Sequence, residues 1–209
     1  MTPAQRRALE SLYPRFGVPL ADRPLDLPAL FGRRAPVALE IGFGMGDALL
    51  AMAEADPGHD FLGVEVHRPG IGRLLAGIEA RGLANVRVIE GDALQVLGAM
   101  LDDGSLDRLL LFFPDPWPKK RHHKRRLLQP EFVELAARRL ALGGLFHAAT
   151  DWAPYAEQML GVLEGCALLE NDAAPGGYAP RPAYRPPTRF ERRGRALGHE
   201  VFDLLFRRR

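Results

Sequence analysis

From residue 37 onward, short apolar runs alternate with helix-patterned stretches, and that alternation restricts the chain to very few architectures. VALEIGF (37–43), FLGVEVH (61–67), VRVIEGD (86–92), LDRLLLFFP (106–114) and LFHAATD (145–151) each read as a strand, with ALLEN a last short one. DALLAMAEA (47–55), IGRLLAGIEARG, ALQVLGAML, FVELAARRLAL and PYAEQMLGVLEG read as the intervening helices. Pro57 and Gly58 stop the first of these, Pro130 suits the first turn of the fourth, and Gly143-Gly144 are expected to end it. Strands that are almost continuously apolar are buried on both faces. In this order they predict a doubly wound α/β domain around a mostly parallel sheet, with helices on both sides. Such sheets bind ligands beyond the carboxyl ends of their strands, so the residues found there are the ones to examine for chemistry.

The chain has 209 residues, 47% hydrophobic and 26% charged, enough apolar material for one sizeable core, and a single domain over 1–209 is expected. Residues 1–35 read as a Pro-rich, weakly patterned N-terminal extension. Residues 172–187, which contain AAPGGYAPRPAYRPP, read as a surface loop too short to divide the chain. No apolar run approaches the ~18 residues of a membrane span, and MTPAQRRALE lacks the apolar centre of a signal peptide, so a cytoplasmic protein is expected. Cys166 stands alone in VLEGCALLE, which leaves no disulfide framework or cysteine metal site and reads as a small core residue. The formal net charge is only +2, so any attraction to nucleic acid depends on where the charges lie.

The strand ends carry acids. The first strand runs into EIGFGMGD, where Gly42, Gly44 and Gly46 let the backbone turn tightly and approach a ligand closely. The spacing is ExGxGxG with Asp47 next, not the GxGxxG of a dinucleotide site, and no GxxxxGK[ST] follows to hold a triphosphate. Besides Glu40 in this first strand, Glu65, Asp92 and Asp115 fall at the ends of the next three. Any one of them alone reads as a helix cap or a solvated loop residue. Four on successive strands outline a site for a nucleoside with a cationic tail: Glu65 suits ribose hydroxyls, Asp92 an adenine amino group, and Glu40 with the glycine turn an amino-acid-like cation. S-adenosylmethionine meets that description.

Directly after the fourth strand comes DPWPKKRHHKRR (115–126), which holds all three lysines of the chain, Lys119, Lys120 and Lys124. Elsewhere the chain uses arginine, which points to a local need for compact, flexible ammonium groups. The bland reading of such a run is a solvated face, and the sharper one a set of phosphate contacts. Trp117 is open to two roles, stacking on an extruded base or wedging its loop. His122 and His123 have no carboxylate or cysteine partners at metal-ligand spacing, so no metal is expected. TRFE (188–191) has capping-box spacing and reads equally as a helix start or as contact residues. The arginines at 181, 185, 189, 192, 193, 195 and 207–209 read either as a second phosphate-contacting rim or as ordinary surface.

The chain resembles the bacterial tRNA (guanine-N7)-methyltransferases, class I enzymes with a Rossmann-like fold that use S-adenosylmethionine. The resemblance is carried by LEIGFGMG, GVEVHRPGIGRLL, VIEGDA, LLLFFPDPWPKKRHHKRRLLQPEF, the TDW at 150–152 and RPPTRFERRGRALGHEVFDLLF. It implies a seven-stranded sheet whose last strand, EVFDLLF (200–206), runs antiparallel. It implies cofactor contacts at Glu40, Gly42, Gly44, Gly46, Glu65, Asp92 and Asp115, with Asp115 also at the catalytic centre. Lys119, Asp151, Thr188, Arg189, Phe190 and Glu191 would meet the target nucleoside, and Lys120, Arg121, His122, His123, Lys124, Arg125 and Arg126 the RNA. The implied partner is tRNA, bound by a monomer or homodimer, and the implied product is 7-methylguanosine in the variable loop. The chain departs from the family at its start, where the basic arm is reduced to Arg6 and Arg7. Asp115 is expected to orient the guanine and offset its developing positive charge, while Lys119 holds the purine carbonyl or a nearby phosphate.

Overall fold

The computed structural model describes residues 1–187, 191, 198 and 200–209. The strands are β1 (Val37–Ile41), β2 (Asp60–Glu65), β3 (Val86–Glu90), β4 (Leu106–Phe112), β5 (Leu140–Thr150), β6 (Leu169–Asn171) and β7 (Phe202–Arg208). They form one sheet in the order β3-β2-β1-β4-β5-β7-β6, parallel throughout except for β7, which runs antiparallel between β5 and β6. The parallel strands therefore end along one common edge, while β7 ends at the opposite one.

Helices α3 (Asp47–Ala55) and α4 (Arg68–Arg81) pack on one face, burying Leu49, Met52, Ile71, Leu74 and Ile78 against Phe61 and Val88. Helices α6 (Pro130–Arg139) and α7 (Ala153–Glu164) cover the other, with Phe132, Val133, Tyr155 and Met159 against Leu109, Leu111 and Phe146. Each helix presents an apolar stripe at 3–4-residue spacing, which is what a two-sided sheet requires. Between β3 and β4 a short α5 (Ala93–Gln95) passes into a π-helical turn over Val96–Met100. No described helix is long and apolar enough to cross a membrane.

Three sequence expectations need correction. The N-terminal extension is structured: α1 (Pro3–Phe16) and α2 (Leu27–Phe31) precede β1. Thr2 and Gln5 close a reciprocal capping box on α1, worth about 1 kcal/mol, and Leu9 and Phe16 bury α1 against α4. Second, α6 stops at Arg139, before Gly143-Gly144. Leu140 is drawn into the sheet opposite Leu106, and β5 runs through both glycines with a register shift before it pairs Leu145 with Arg108. Third, the 172–187 segment is not purely a surface loop. Near its end Tyr184 packs into the α3/α4-side core and Arg185 is fully buried beside β5 and β7.

Candidate active site

The glycine turn is built by all three glycines with left-handed backbone, at φ of 69° (Gly42), 58° (Gly44) and 79° (Gly46), a region that favours glycine. Phe43, between them, is buried and sits where Gly63 of β2 lacks a side chain. Gly70 at the start of α4 is equally constrained, because a Cβ there would lie 1.9 Å from the carbonyl oxygen of Gly44. The sequence reading missed Gly63 and Gly70. Gly42 and Gly44 face open space.

Glu40 and Glu65 flank this turn. Glu65 accepts from three backbone donors and keeps acceptor capacity on Oε2: Gly44 N–H donates to Oε2 at 2.8 Å, and Val66 and His67 N–H donate to Oε1 at 2.7 and 2.9 Å. Its negative charge thus clamps the glycine turn to β2. Glu40 lies one residue inside the end of β1, 3% exposed, and its Oε2 is buried with no hydrogen-bond partner. Burial, aided by the charge of Glu65, pushes its carboxyl up to about 8. Asp92 is exposed two residues past β3 and caps α5, accepting from Leu94 and Gln95 N–H at 2.9 and 3.2 Å. Apolar side chains stand exposed beside two of these acids, Val66 after Glu65 and Leu94 after Asp92. Exposed apolar residues next to strand-end carboxylates were the signal that the sequence reading overlooked.

Asp115 is exposed three residues past β4, in a segment whose backbone turns left-handed at two non-glycine residues, Phe113 (φ 52°) and Trp117 (φ 43°). Such conformations cost about 1–3 kcal/mol each and persist where surrounding contacts enforce them. Here Phe113 N–H donates to Ala149 O at 2.7 Å, and Trp117 meets His122 edge-on at 5.8 Å under the Arg125 guanidinium, 5.0 Å from its ring centre. Trp117 therefore packs its own loop. Lys119 leads into a 3-10 turn over Lys120–Arg125, from which Lys119, Lys120, Arg121, Lys124 and Arg125 are exposed while His122 and His123 are half-buried.

Arg126 departs from the expected RNA contact. It is 3% exposed, with Nε donating to Pro116 O at 2.8 Å, Nη1 to Gln158 Oε1, and its guanidinium over the Tyr155 ring. It fastens the basic turn to α7 and is not available to a phosphate. Glu191, expected at the target nucleoside, is buried with its Oε2 on Arg185 Nη1 at 2.5 Å. Arg185 is likewise no part of a phosphate rim. Arg207 and Arg208 close β7 and Arg209 follows it, which places them at the edge opposite Asp115, and Arg207 pairs with Asp172 at 3.1 Å. Asp151 follows β5 at the same edge as Asp115 and is half-buried. Thr188, Arg189, Phe190, the capping-box reading of TRFE and the arginines at 192, 193 and 195 lie outside the described residues.

A concavity of about 1100 Å³ runs between α6 and α7 past Leu142, Cys166 and Arg208 and does not touch these acids. Among the described residues no group of three or more His, Cys, Asp or Glu is placed to hold a metal ion.

The fold shares its layout with solved methyltransferases. The 16S rRNA methyltransferase KamB superposes with a TM-score of 0.63 at 16% identity, covering 90% of this chain and 95% of that one. The aminoglycoside resistance methyltransferase NpmB1 gives 0.57 at 16% identity, over 88% and 92%. Strand order, the reversed β7 and the glycine turn at β1 thus define a class I methyltransferase fold. A family model described as "Putative methyltransferase" matches residues 34–204. The tRNA (guanine-N(7)-)-methyltransferase of Pseudomonas entomophila is 59% identical over 206 residues, 99% of this chain and 86% of that protein. Its counterpart from Methylococcus capsulatus is 57% identical over 208 residues, 100% and 90%. The chain belongs to the bacterial tRNA (guanine-N7)-methyltransferase family.

Proposed function

We propose that this chain transfers a methyl group from S-adenosylmethionine to N7 of a guanosine in tRNA, at the variable-loop position implied by its resemblance to the family. The observation that carries this reading is the placement of Asp115 between two unlike surroundings at one sheet edge. On one side are the glycine turn and the buried, unbonded Oε2 of Glu40; on the other is the exposed basic turn 119–125.

The residues fit the cofactor. An orphaned carboxylate oxygen beside a glycine turn that opens to space suits a cationic amino-acid tail, and Glu65 with Asp92 supplies acceptors for the nucleoside. Val66 and Leu94 offer apolar surface for its flat base. S-adenosylmethionine, when bound, supplies an electrophilic methyl on a sulfonium. The protein's own task is alignment, because guanine N7 carries an in-plane lone pair and needs no base to deprotonate it. Asp115 orients the guanine and offsets the positive charge that the purine gains, and the strained backbone around it fixes its direction. Lys119 holds the purine carbonyl or an adjoining phosphate. Asp151 contributes to the nucleoside pocket, where the family resemblance also implies Thr188, Arg189 and Phe190, and Lys120, Arg121, Lys124 and Arg125 attract the tRNA backbone, with His122 and His123 beside them.

The test is transfer of labelled methyl from S-adenosylmethionine to unmodified total tRNA, followed by nucleoside analysis. The expected product is 7-methylguanosine, absent with Asp115→Ala. Cofactor binding without methylated RNA would instead indicate a methyltransferase for a small molecule or protein.

A further inference from the structure

Among the described residues, the β4–β5–β7 part of the sheet face that α3 and α4 leave uncovered carries a continuous polar network. Arg185, with no exposed side-chain surface, directs Nε and Nη2 to the two oxygens of Asp203 on β7 (2.6 and 2.9 Å) and Nη1 to Glu191 (2.5 Å). Asp203 Oδ1 also meets His147 Nε2 on β5 at 2.7 Å, and His147 Nδ1 meets the Tyr184 hydroxyl at 2.6 Å. Burial pushes His147 below its ordinary pKa against the pull of Asp203. A neutral ring results, donating from Nε2–H to Asp203 and accepting the tyrosine O–H at Nδ1. Burial also opposes ionisation of Asp203, but hydrogen bonds from His147 and Arg185 outweigh it and keep the carboxyl low.

Stability alone does not account for this arrangement. A buried ion pair roughly breaks even against apolar side chains of the same volume, so coating a sheet face with an arginine and two carboxylates gains little that leucines would not. What the guanidinium does uniquely is join elements at fixed angles, because its planar fork spends three nitrogens on two carboxylates from separate segments. It also lies over the rings of Phe112 and Phe113, 5.9 and 5.8 Å from their centres. Phe113 is the left-handed residue two positions before Asp115, and Asp203 pairs in register with Ala149, whose carbonyl holds Phe113 N–H. Glu191, at the other prong, closes the stretch expected at the target nucleoside.

We infer that Arg185 is a positioning residue for methyl transfer, setting the turn that carries Asp115 against β7 and Glu191. The inference rests on the proposed reaction. Its test is Arg185→Lys, which keeps one charge but cannot fork. The single-turnover rate of tRNA methylation is expected to fall by about tenfold or more, as sub-ångström misplacement does. The dissociation constant for S-adenosylmethionine and the KM for tRNA are expected to hold within about threefold. An unchanged rate overturns the inference, as does a parallel loss of rate, cofactor affinity and melting temperature, which marks a merely structural role. If Arg185→Lys does not melt cooperatively, Phe113→Leu carries the test. It is half-buried and removes the ring beneath the guanidinium. The same split is expected, and an unchanged rate is again fatal. Wild-type protein that makes no 7-methylguanosine would sink the proposed reaction itself, whereas active wild type with a fully active Arg185→Lys removes only the role of Arg185.

Discussion

Glu40 makes the proposed cofactor site measurable in the ligand-free protein. Its carboxyl is moved from 4.5 to about 8, first by burial and second by Glu65, while its strand neighbours Gly63 and Leu110 carry no charge. Between those pH values the folded protein holds a proton that the unfolded chain has released. The resulting stability is complete below about 4.5 and is lost as pH rises through about 8. The gap, at about 1.4 kcal/mol per pH unit, sets a ceiling near 5 kcal/mol, and water entry on unpairing lowers the realised value to about 2–3 kcal/mol. Glu40→Gln keeps the shape and abolishes the titration. Urea unfolding at pH 5, 6, 7 and 8 should therefore show the variant gaining on wild type by about 2 kcal/mol or more across the series. Capture of a cationic ligand beside Glu40 favours its ionised form, so S-adenosylmethionine binding at pH 7 should release close to one proton, seen as a buffer-dependent heat in calorimetry. The release should vanish in Glu40→Gln. Parallel unfolding profiles for the two proteins would refute the reasoning, because they would mean that Glu40 titrates as an ordinary solvated carboxylate.

Other outcomes follow from the same geometry. Asp115→Asn preserves shape and removes charge, so single-turnover methylation should fall about a hundredfold while tRNA affinity holds, as measured by rapid quench and filter binding. Lys120→Ala with Lys124→Ala should lower the slope of log affinity against log salt by about 1.5, since each phosphate contact contributes roughly 0.7–0.9. Arg126→Ala should leave that slope unchanged and instead cost about 1–3 kcal/mol in urea unfolding, because its bonds are to Pro116 and Gln158. Gly70→Ala, whose new methyl would collide with the Gly44 carbonyl, should weaken S-adenosylmethionine binding by about tenfold or more in calorimetry without altering tRNA binding.

What the sequence made legible was what depends on local pattern. The strands were visible because both faces are buried and the apolar runs are unbroken, and the strand-end acids followed from the sheet's direction. The N-terminal helix was hidden by a Pro-rich composition, although Pro3 occupies the first helical position, where an N–H has no intrahelical partner, and Pro14 lies in the last turn, where it forfeits a single i→i−4 bond. Its signal was present in Thr2 and Gln5. The end of α6 was set by a strand register, since Leu140 is claimed by Leu106, 34 positions earlier, and no local glycine announces that. Arg126 and Arg185 were hidden for the same reason. Each stands in an arginine- or lysine-rich stretch of sequence, and partners as far as 32 and 18 positions away, Gln158 and Asp203, help draw them inside.

An acid-rich sheet edge is a poor place to bring a polyanion unless its charge is contained, and the structure contains it by three different means. Glu40 is buried deeply enough to stay protonated at neutral pH. Glu65 spends its charge on three backbone N–H groups, so its field is largely absorbed by the glycine turn it organises. Asp92 commits one oxygen to the first turn of α5. Asp115, exposed at the same edge as the half-buried Asp151, is followed in the chain by five exposed cations at Lys119, Lys120, Arg121, Lys124 and Arg125. On the proposed reading, phosphates approaching that edge meet net positive charge, while Asp115 is presented where a purine would gain positive charge during attack. On that same reading, the DPWPKKRHHKRR run joins the acid that serves methyl transfer to the cations that attract RNA, and Arg126, buried at its far end, anchors the run to α7.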